Sequence, residues 1–229
     1  MTQLDHVTLT SIALMPRYNQ WLINQFRPFF GKSTLEMGFG IGNLTKYFPK
    51  STTPTLTEIN TQYIKILKKK FPHQVVKYDF QKPPTPNLHL NKFDTVFSSN
   101  VLEHIKDDKK ALQNTHSLLS SKGKLLLFVP ACTLIYGSID KELKHFRRYN
   151  KKSLEKLLKE SGFNIISIRY QNFIGFFTWF VSGKILKQSV IKPRQAKIFD
   201  LLVIPLMNLE KYVSLPFGQN LLVVAQKKT

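Results

Sequence analysis

Short apolar, β-rich runs alternate along this chain with stretches whose apolar positions recur every three or four residues. The runs predict strands at Thr34–Met37, Thr55–Thr57, Val75–Tyr78, Thr95–Ser98 and Lys124–Val129. The helical periodicity predicts helices at Asn43–Phe48, Gln62–Phe71, Asp107–Leu119 and Ser153–Ser161. Phe163–Tyr170 and Asn220–Gln226 add two more strands. Before them, Thr8 to Phe30 reads as helices interrupted at Pro16 and ended near Pro28, since proline removes a backbone donor. Strand and helix in alternation predict an α/β fold: a doubly wound, mostly parallel sheet with helices on both faces. One segment breaks the rhythm. Phe173 to Val181 is apolar on nearly every residue and is followed by Lys184, Lys187, Lys192, Arg194 and Lys197, predicting a helical insert before the last strand.

Composition narrows the class. The 229 residues suffice for one well-buried core, and 42% hydrophobic with 21% charged content suits a globular protein. A lone cysteine, Cys132, excludes an internal disulfide framework. No signal-peptide pattern opens the sequence and no apolar run reaches the roughly 20 residues of a membrane span, so a cytoplasmic protein is expected. The net charge of +20 stands out. It favours phosphates, in nucleic acid or in anionic lipid headgroups, unless the lysines simply form an evenly solvated surface.

The richest stretch is Leu35-Glu36-Met37-Gly38-Phe39-Gly40-Ile41-Gly42, a strand that ends on an acidic residue and turns through three alternate glycines. Glycine suits a tight turn that a ligand must approach closely. The helix expected after it would aim free N–H groups at that ligand. Glu58 closes the next apolar run about 20 residues on, where a nucleoside's ribose acceptor belongs. The spacing G-x-G-x-G is one residue short of a dinucleotide fingerprint. Gly31-Lys32-Ser33-Thr34 ends like a phosphate loop, but Phe26 stands where its first glycine belongs and it precedes the strand.

Together with Asp79-Phe80 and Ser98-Ser99-Asn100-Val101-Leu102-Glu103-His104-Ile105, this pattern resembles the class I S-adenosylmethionine-dependent methyltransferases, which are Rossmann-like. The resemblance implies S-adenosyl-L-methionine as cofactor, with S-adenosyl-L-homocysteine as product. Glu36, Gly38, Gly40 and Gly42 would sit under its methionine part. Glu58, with Ile59 beside it, would accept the ribose hydroxyls, and Asp79 the adenine amino group. Phe80 would support the ring, and Asn100 and Val101 would line the sulfonium end. Val129-Pro130-Ala131, Tyr136-Gly137, Asp140 and His145-Phe146-Arg147-Arg148-Tyr149 resemble a bacterial subgroup associated with glycans and lipid-linked sugars. That pattern has glycine before the histidine, where this chain has Lys144. One methyltransferase domain over 1–229 is expected: a helical cover at 1–30, a cofactor-binding core at 31–131, and a substrate cap from 132–150 and 171–215.

Methyl transfer asks a protein to align the acceptor, exclude water and remove a proton. His104 is the first candidate base and His145 the second, with Asp140 orienting it or binding a sugar hydroxyl. Arg147 and Arg148 suit a phosphate or carboxylate, Tyr136 and Tyr149 complete the cap, and Arg17 and Tyr18 could close the site from the N-terminal side. No metal-ligand spacing is present. The acceptor expected is a small molecule, sugar or lipid-linked species, methylated at oxygen. An RNA or protein methyltransferase would explain the charge, and a non-catalytic scaffold or membrane-surface adaptor would keep the fold without turnover. The aromatic stretch and its lysines, 172–197, suit peripheral contact with the inner membrane face, a cover over the site, or a dimer interface.

Overall fold

The computed structural model describes residues 3–69 and 74–228. All seven expected strands form: β1 (Ser33–Met37), β2 (Thr53–Glu58), β3 (Gln74–Lys77), β4 (Phe93–Ser99), β5 (Leu119–Pro130), β6 (Phe163–Gln171) and β7 (Asn220–Lys227). They make one sheet in the order β3-β2-β1-β4-β5-β7-β6. The first five are parallel, and β7 runs antiparallel between β5 and β6. The helices are α1 (Gln3–Ala13), α2 (Pro16–Phe26), α3 (Thr61–Lys68), α4 (Asp108–Leu118), α5 (Ser138–Glu142), α6 (Lys151–Glu160), α7 (Phe173–Trp179) and α8 (Pro193–Met207). Lys70 and Phe71, expected at the end of α3, lie outside the described residues.

Strand alternation divides the core between two faces. Leu35, Met37, Val96, Leu125, Leu127 and Val223 pack with Leu112 and Leu118 of α4 and Leu154 and Leu158 of α6. Phe97, Leu126, Phe128, Leu222 and Val224 pack with Trp21, Leu22 and Phe26 of α2 and Ile204 and Met207 of α8. Leu56 lies in register with Glu36 on this second face and meets Tyr63 and Leu67 of α3. The β5 residues from Leu125 to Val129 are fully buried, and each such side chain contributes roughly 1.5–3 kcal/mol. The caps follow the sequence: Asn60 accepts from Gln62 N, Asp107 from Lys110 N and Asn150 from Ser153 N.

One expected helix is absent. Asn43–Phe48 forms turns and a single 3-10 turn, Thr45–Tyr47. Between Gly42 and Pro49 there is room for little more than one helical turn. Thr45 turns inward to Glu36 instead, and Leu44, Tyr47 and Phe48 pack on the second face. No free helix N-terminus therefore faces the glycine turn from this segment. The insert after β6 is helical as expected: α7 runs into a π-helical stretch, Phe180–Ile185, then α8 and a 3-10 stretch, Asn208–Tyr212. It is tied to the N-terminal cover through Asp200 on α8, whose carboxylate accepts Arg17 N and Tyr18 N at the start of α2.

Candidate functional site

The C-terminal ends of the parallel strands converge on the glycine turn. Gly38, Gly40 and Gly42 all have positive φ, at 66°, 57° and 79°. At Gly38 the need for glycine is double, because a Cβ would also lie 2.7 Å from Val101. The amides of Gly38 and Phe39 donate to Thr57 O at 3.0 and 3.1 Å, which fixes the turn against β2. At Gly40 a Cβ would make only an ordinary contact, with Leu9 of α1 at 3.5 Å. Asn43 Nδ2 donates to Leu9 O, so α1 lies over the turn.

Glu58 ends β2 almost buried, and its carboxylate is already engaged. Oε2 accepts Gly40 N at 3.0 Å, and Oε1 accepts Ile59 N and Asn60 N at 2.8 and 2.9 Å. A carboxylate offers about four acceptor positions, so this one holds the glycine turn and keeps capacity for a ligand hydroxyl. Ile59 is 59% exposed beside it, an apolar surface of the kind a flat base covers. Asp79 accepts Gln81 N through Oδ1, and Phe80 is buried edge-on to Tyr78. Asn100 adopts φ 51°, with its amide held by Phe128 O, which sets Val101 against Gly38. Of the expected cofactor residues, Glu58 ends β2, and Gly38, Gly40, Gly42, Ile59, Asp79, Phe80, Asn100 and Val101 lie on the loops after β1 to β4. The donor set fits a nucleoside: carboxylates at the end of β2 and just after β3, with the exposed apolar side chain of Ile59 next to Glu58.

Glu36 takes a different place. Its side chain is buried on the second face, where Thr45 Oγ1 donates to Oε2 at 2.6 Å. Burial pushes its carboxyl up to about 7 against the Thr45 hydrogen bond, and the nearby Glu58 adds to the rise. The unfolded chain releases this proton near 4.5 and the folded chain only near 7, so the group destabilises the fold progressively as pH rises through that window. Glu36→Gln keeps an oxygen for Thr45 and removes the titration. Its stability relative to wild type is expected to rise between pH 5 and pH 8 by up to about 3 kcal/mol. Urea midpoints at the two pH values would test this, and a constant difference would show that Glu36 does not titrate there.

Across from the turn, the loop after β5 folds around one carboxylate. Asp140 is fully buried: Oδ1 meets His145 Nδ1 at 2.9 Å and Arg148 Nε at 2.7 Å, while Oδ2 accepts Gly137 N and Trp179 Nε1, both at 3.0 Å. Burial alone would raise its pKa, but His145, Arg148, Trp179 and Gly137 together hold it below the usual carboxylate range. Arg148 also donates through Nη1 to Ala131 O at 2.8 Å and lies over the Trp179 ring, so the network joins both cap segments to β5. Gly137 packs against the Gly183 backbone, where a Cβ would come within 2.8 Å. Tyr136 donates its hydroxyl to His145 O. Lys144 has φ 56°, so the position where the subgroup pattern carries glycine is left-handed, and a lysine there costs about 1 kcal/mol.

These contacts correct several expected roles. Asp140 does meet His145, as expected for an orienting group, but it has no acceptor position left for a sugar hydroxyl, and with Arg148 it anchors the cap. Tyr149 is buried with its hydroxyl on Asp108, and Arg147 pairs with Asp108 at 2.6 Å and donates to Lys106 O. Arg17 reaches Leu201 O, and Tyr18 stacks on Trp21, so both join cover to insert. His145 is buried with one nitrogen on Asp140, whereas His104 is exposed on the short 3-10 turn after β4, its ring edge-on to His145 at 4.6 Å. No spacing along the chain points to a metal cluster, yet Glu103, His104 and His145 come together with one ligand atom from each within 4.8 Å. Glu103, quoted in a motif but assigned no role, is fully buried, and burial pushes it up to about 7 despite the attraction of His145 and Arg148. Trp179 was likewise missed. Their one sequence signal is polarity set inside apolar runs.

Comparison with known proteins bears on the fold and the family. The chain is 28% identical over 137 residues to an uncharacterized methyltransferase of Alkaliphilus oremlandii, covering 58% of the chain and 56% of that protein. It is 30% identical over 116 residues to a highly reducing polyketide synthase of Strobilurus tenacellus, covering 44% of the chain but 4% of the synthase. The match therefore spans little more than half of one curated relative and a small part of the other. Among solved structures, a SAM-dependent methyltransferase of Archaeoglobus fulgidus has a TM-score of 0.63 at 18% identity, covering 93% of this chain and 94% of that one. An S-adenosylmethionine-dependent methyltransferase of Mesorhizobium loti has a TM-score of 0.61 at 16% identity, over 90% and 95%. At such identity they attest the fold. The family model described as a methyltransferase domain matches residues 13–168, from α2 through most of β6, and the chain belongs to that methyltransferase-domain family.

Proposed function

We propose that the protein transfers the methyl group of S-adenosyl-L-methionine to an oxygen of a small-molecule, sugar or lipid-linked acceptor taken up under the cap. The observation that carries this reading is the left-handed glycine turn, whose Gly40 amide is held by the Glu58 carboxylate at the ends of β1 and β2. When bound, the cofactor supplies a methyl already activated on a sulfonium. The chain's tasks are then positional. Gly38 and Phe39 fix the turn, Glu58 and Asp79 present acceptors for hydroxyl and amino groups, and Ile59 offers an apolar surface. Asn100 and Val101 line the turn from the end of β4. His104 is the exposed titratable group next to this region and the one suited to take a proton from an acceptor hydroxyl. The cap, held by Asp140, excludes water.

A lipid-linked acceptor is favoured by the insert. It leaves Val181, Ile185, Leu186, Leu201, Leu202 and Leu206 exposed among Lys184, Lys187, Arg194 and Lys197. Apolar side chains with lysines between them suit peripheral contact with an anionic bilayer surface. Phe173, Phe176 and Phe177 pack around Phe217, so part of the aromatic stretch is internal cover. No helix among the described residues is long and apolar enough to cross a membrane.

The test is methyl transfer from labelled S-adenosyl-L-methionine to three acceptor sets: free sugars, polyprenyl-phosphate sugars in anionic vesicles, and bulk RNA. Transfer to a sugar, strongest in the vesicle set, is expected. Transfer confined to RNA, with binding that weakens steeply with salt, would replace this reading with a nucleic-acid one. A folded protein that fails to bind S-adenosylhomocysteine would end the methyltransferase reading and leave a scaffold.

A further inference from the structure

We propose that Glu103, His104 and His145 form a site for one divalent first-row transition-metal cation, on the loops that follow β4 and β5. The ligand atoms of the three side chains lie within 4.8 Å of one another. His145 Nε2 stands 3.9 Å from Glu103 Oε1. That is too far for a hydrogen bond, but two ligands that each bind a shared ion at about 2.0–2.2 Å are spaced by roughly 3–4 Å.

Two independent observations ask for a cation between them. The first is Glu103 itself, which is fully buried and has neither carboxylate oxygen in a hydrogen bond. A buried carboxylate without partners is among the costliest arrangements in a protein interior. The second is the tautomer of His145. Asp140 is surrounded by donors from Arg148, Trp179 and Gly137, so it takes the Nδ1 proton of His145. In the neutral ring this leaves the lone pair on Nε2, the atom that faces Glu103. Two acceptors then look at each other across a gap, and only a cation or an added proton reconciles them. A histidine whose far nitrogen is fixed by a buried carboxylate is how metal-bound imidazoles are held. The alternative, a proton held between Glu103 and His145 in place of the ion, needs no metal.

Two imidazoles and one carboxylate select manganese, iron, cobalt or zinc over magnesium or calcium. With three protein ligands, coordination positions stay open for water or an acceptor oxygen. Any role for the ion in activating an acceptor hydroxyl rests on the methyl-transfer reading; occupancy of the site does not.

The experiment titrates chelator-treated full-length protein with Zn2+, Mn2+ and Mg2+ by calorimetry, and with Co2+ by visible absorption. One equivalent of Zn2+ or Mn2+ is expected, with a rise in melting temperature, cobalt bands of mixed nitrogen and oxygen ligation, and no saturable binding of Mg2+. His104→Ala changes an exposed side chain and leaves the core intact, so it decides the matter; it is expected to weaken binding at least tenfold, as is Glu103→Gln. No saturable binding to folded protein would overturn the site in favour of a proton held between Glu103 and His145. Binding that His104→Ala leaves unchanged would overturn it too, by placing the ion elsewhere. Since no turnover is measured, either failure leaves the methyl-transfer reading untouched.

Discussion

Replacing Asp140 with alanine is expected to cost about 3–5 kcal/mol of stability, a large part of what a domain of this size possesses. Four donors converge on this one buried carboxylate. Without it, Arg148, 4% exposed, keeps a buried charge whose nearest remaining acid is Glu103, an attraction too distant for a hydrogen bond. Trp179 Nε1 and Gly137 N lose their acceptors at the same time, so α5 and the end of α7 loosen together. Asp140→Asn should fare little better, because its amide would turn N–H groups toward donors. The double variant Asp140→Ala/Arg148→Met is expected to recover part of the loss, since it removes the stranded charge. Urea unfolding of the three variants measures this; a loss below about 1 kcal/mol for the alanine would mean that the cap holds without its carboxylate. Acid should act in the same direction. Asp140 is held below its ordinary range, so its contribution is present above the unfolded pKa and lost as pH falls through the folded one. This limb is opposite in sign to that of Glu36.

The cap also marks where a linear reading stops. The strands were legible because parallel β5 is buried on both faces and therefore apolar without a break from Leu125 to Val129. The glycine turn and Glu58 were legible because their backbone demands admit few residue types. Leu44, Tyr47 and Phe48 were misread because spacings of three and four suit a helix, while the short reach to Pro49 allows only one turn. Arg147 and Arg148 were given one role, yet the first lies on the surface against Asp108 and the second is buried on Asp140. Nothing in two adjacent arginines tells which will turn inward. The pairing of Trp179 with Asp140 joins residues 39 apart, and the meeting of Glu103 with His145 depends on where two loops cross. Such contacts follow from tertiary packing, which periodicity does not encode. The left-handed backbone at Lys144 lies between: the family pattern hinted at it, and the lysine concealed it.

Glu58→Ala is expected to weaken S-adenosylhomocysteine binding by a hundredfold or more while the chain stays folded. The acceptor position left on the carboxylate takes a ribose hydroxyl in one charge-assisted hydrogen bond worth about 1.5–3 kcal/mol, and about 3 kcal/mol already exceeds a hundredfold in affinity. The same side chain holds Gly40 N, Ile59 N and Asn60 N, so its loss also loosens the glycine turn before any ligand arrives. The two effects can be separated. Glu58→Gln keeps one acceptor oxygen for the turn but aims an N–H at the backbone donors on the other side, so it should lose less stability than the alanine and most of the affinity. Thermal melting reads the first and calorimetry the second. If a folded Glu58→Ala bound within about threefold of wild type, Glu58 would be a clasp for the Gly40 loop alone. The nucleoside would then have to be held by Asp79 and the backbone of the turn.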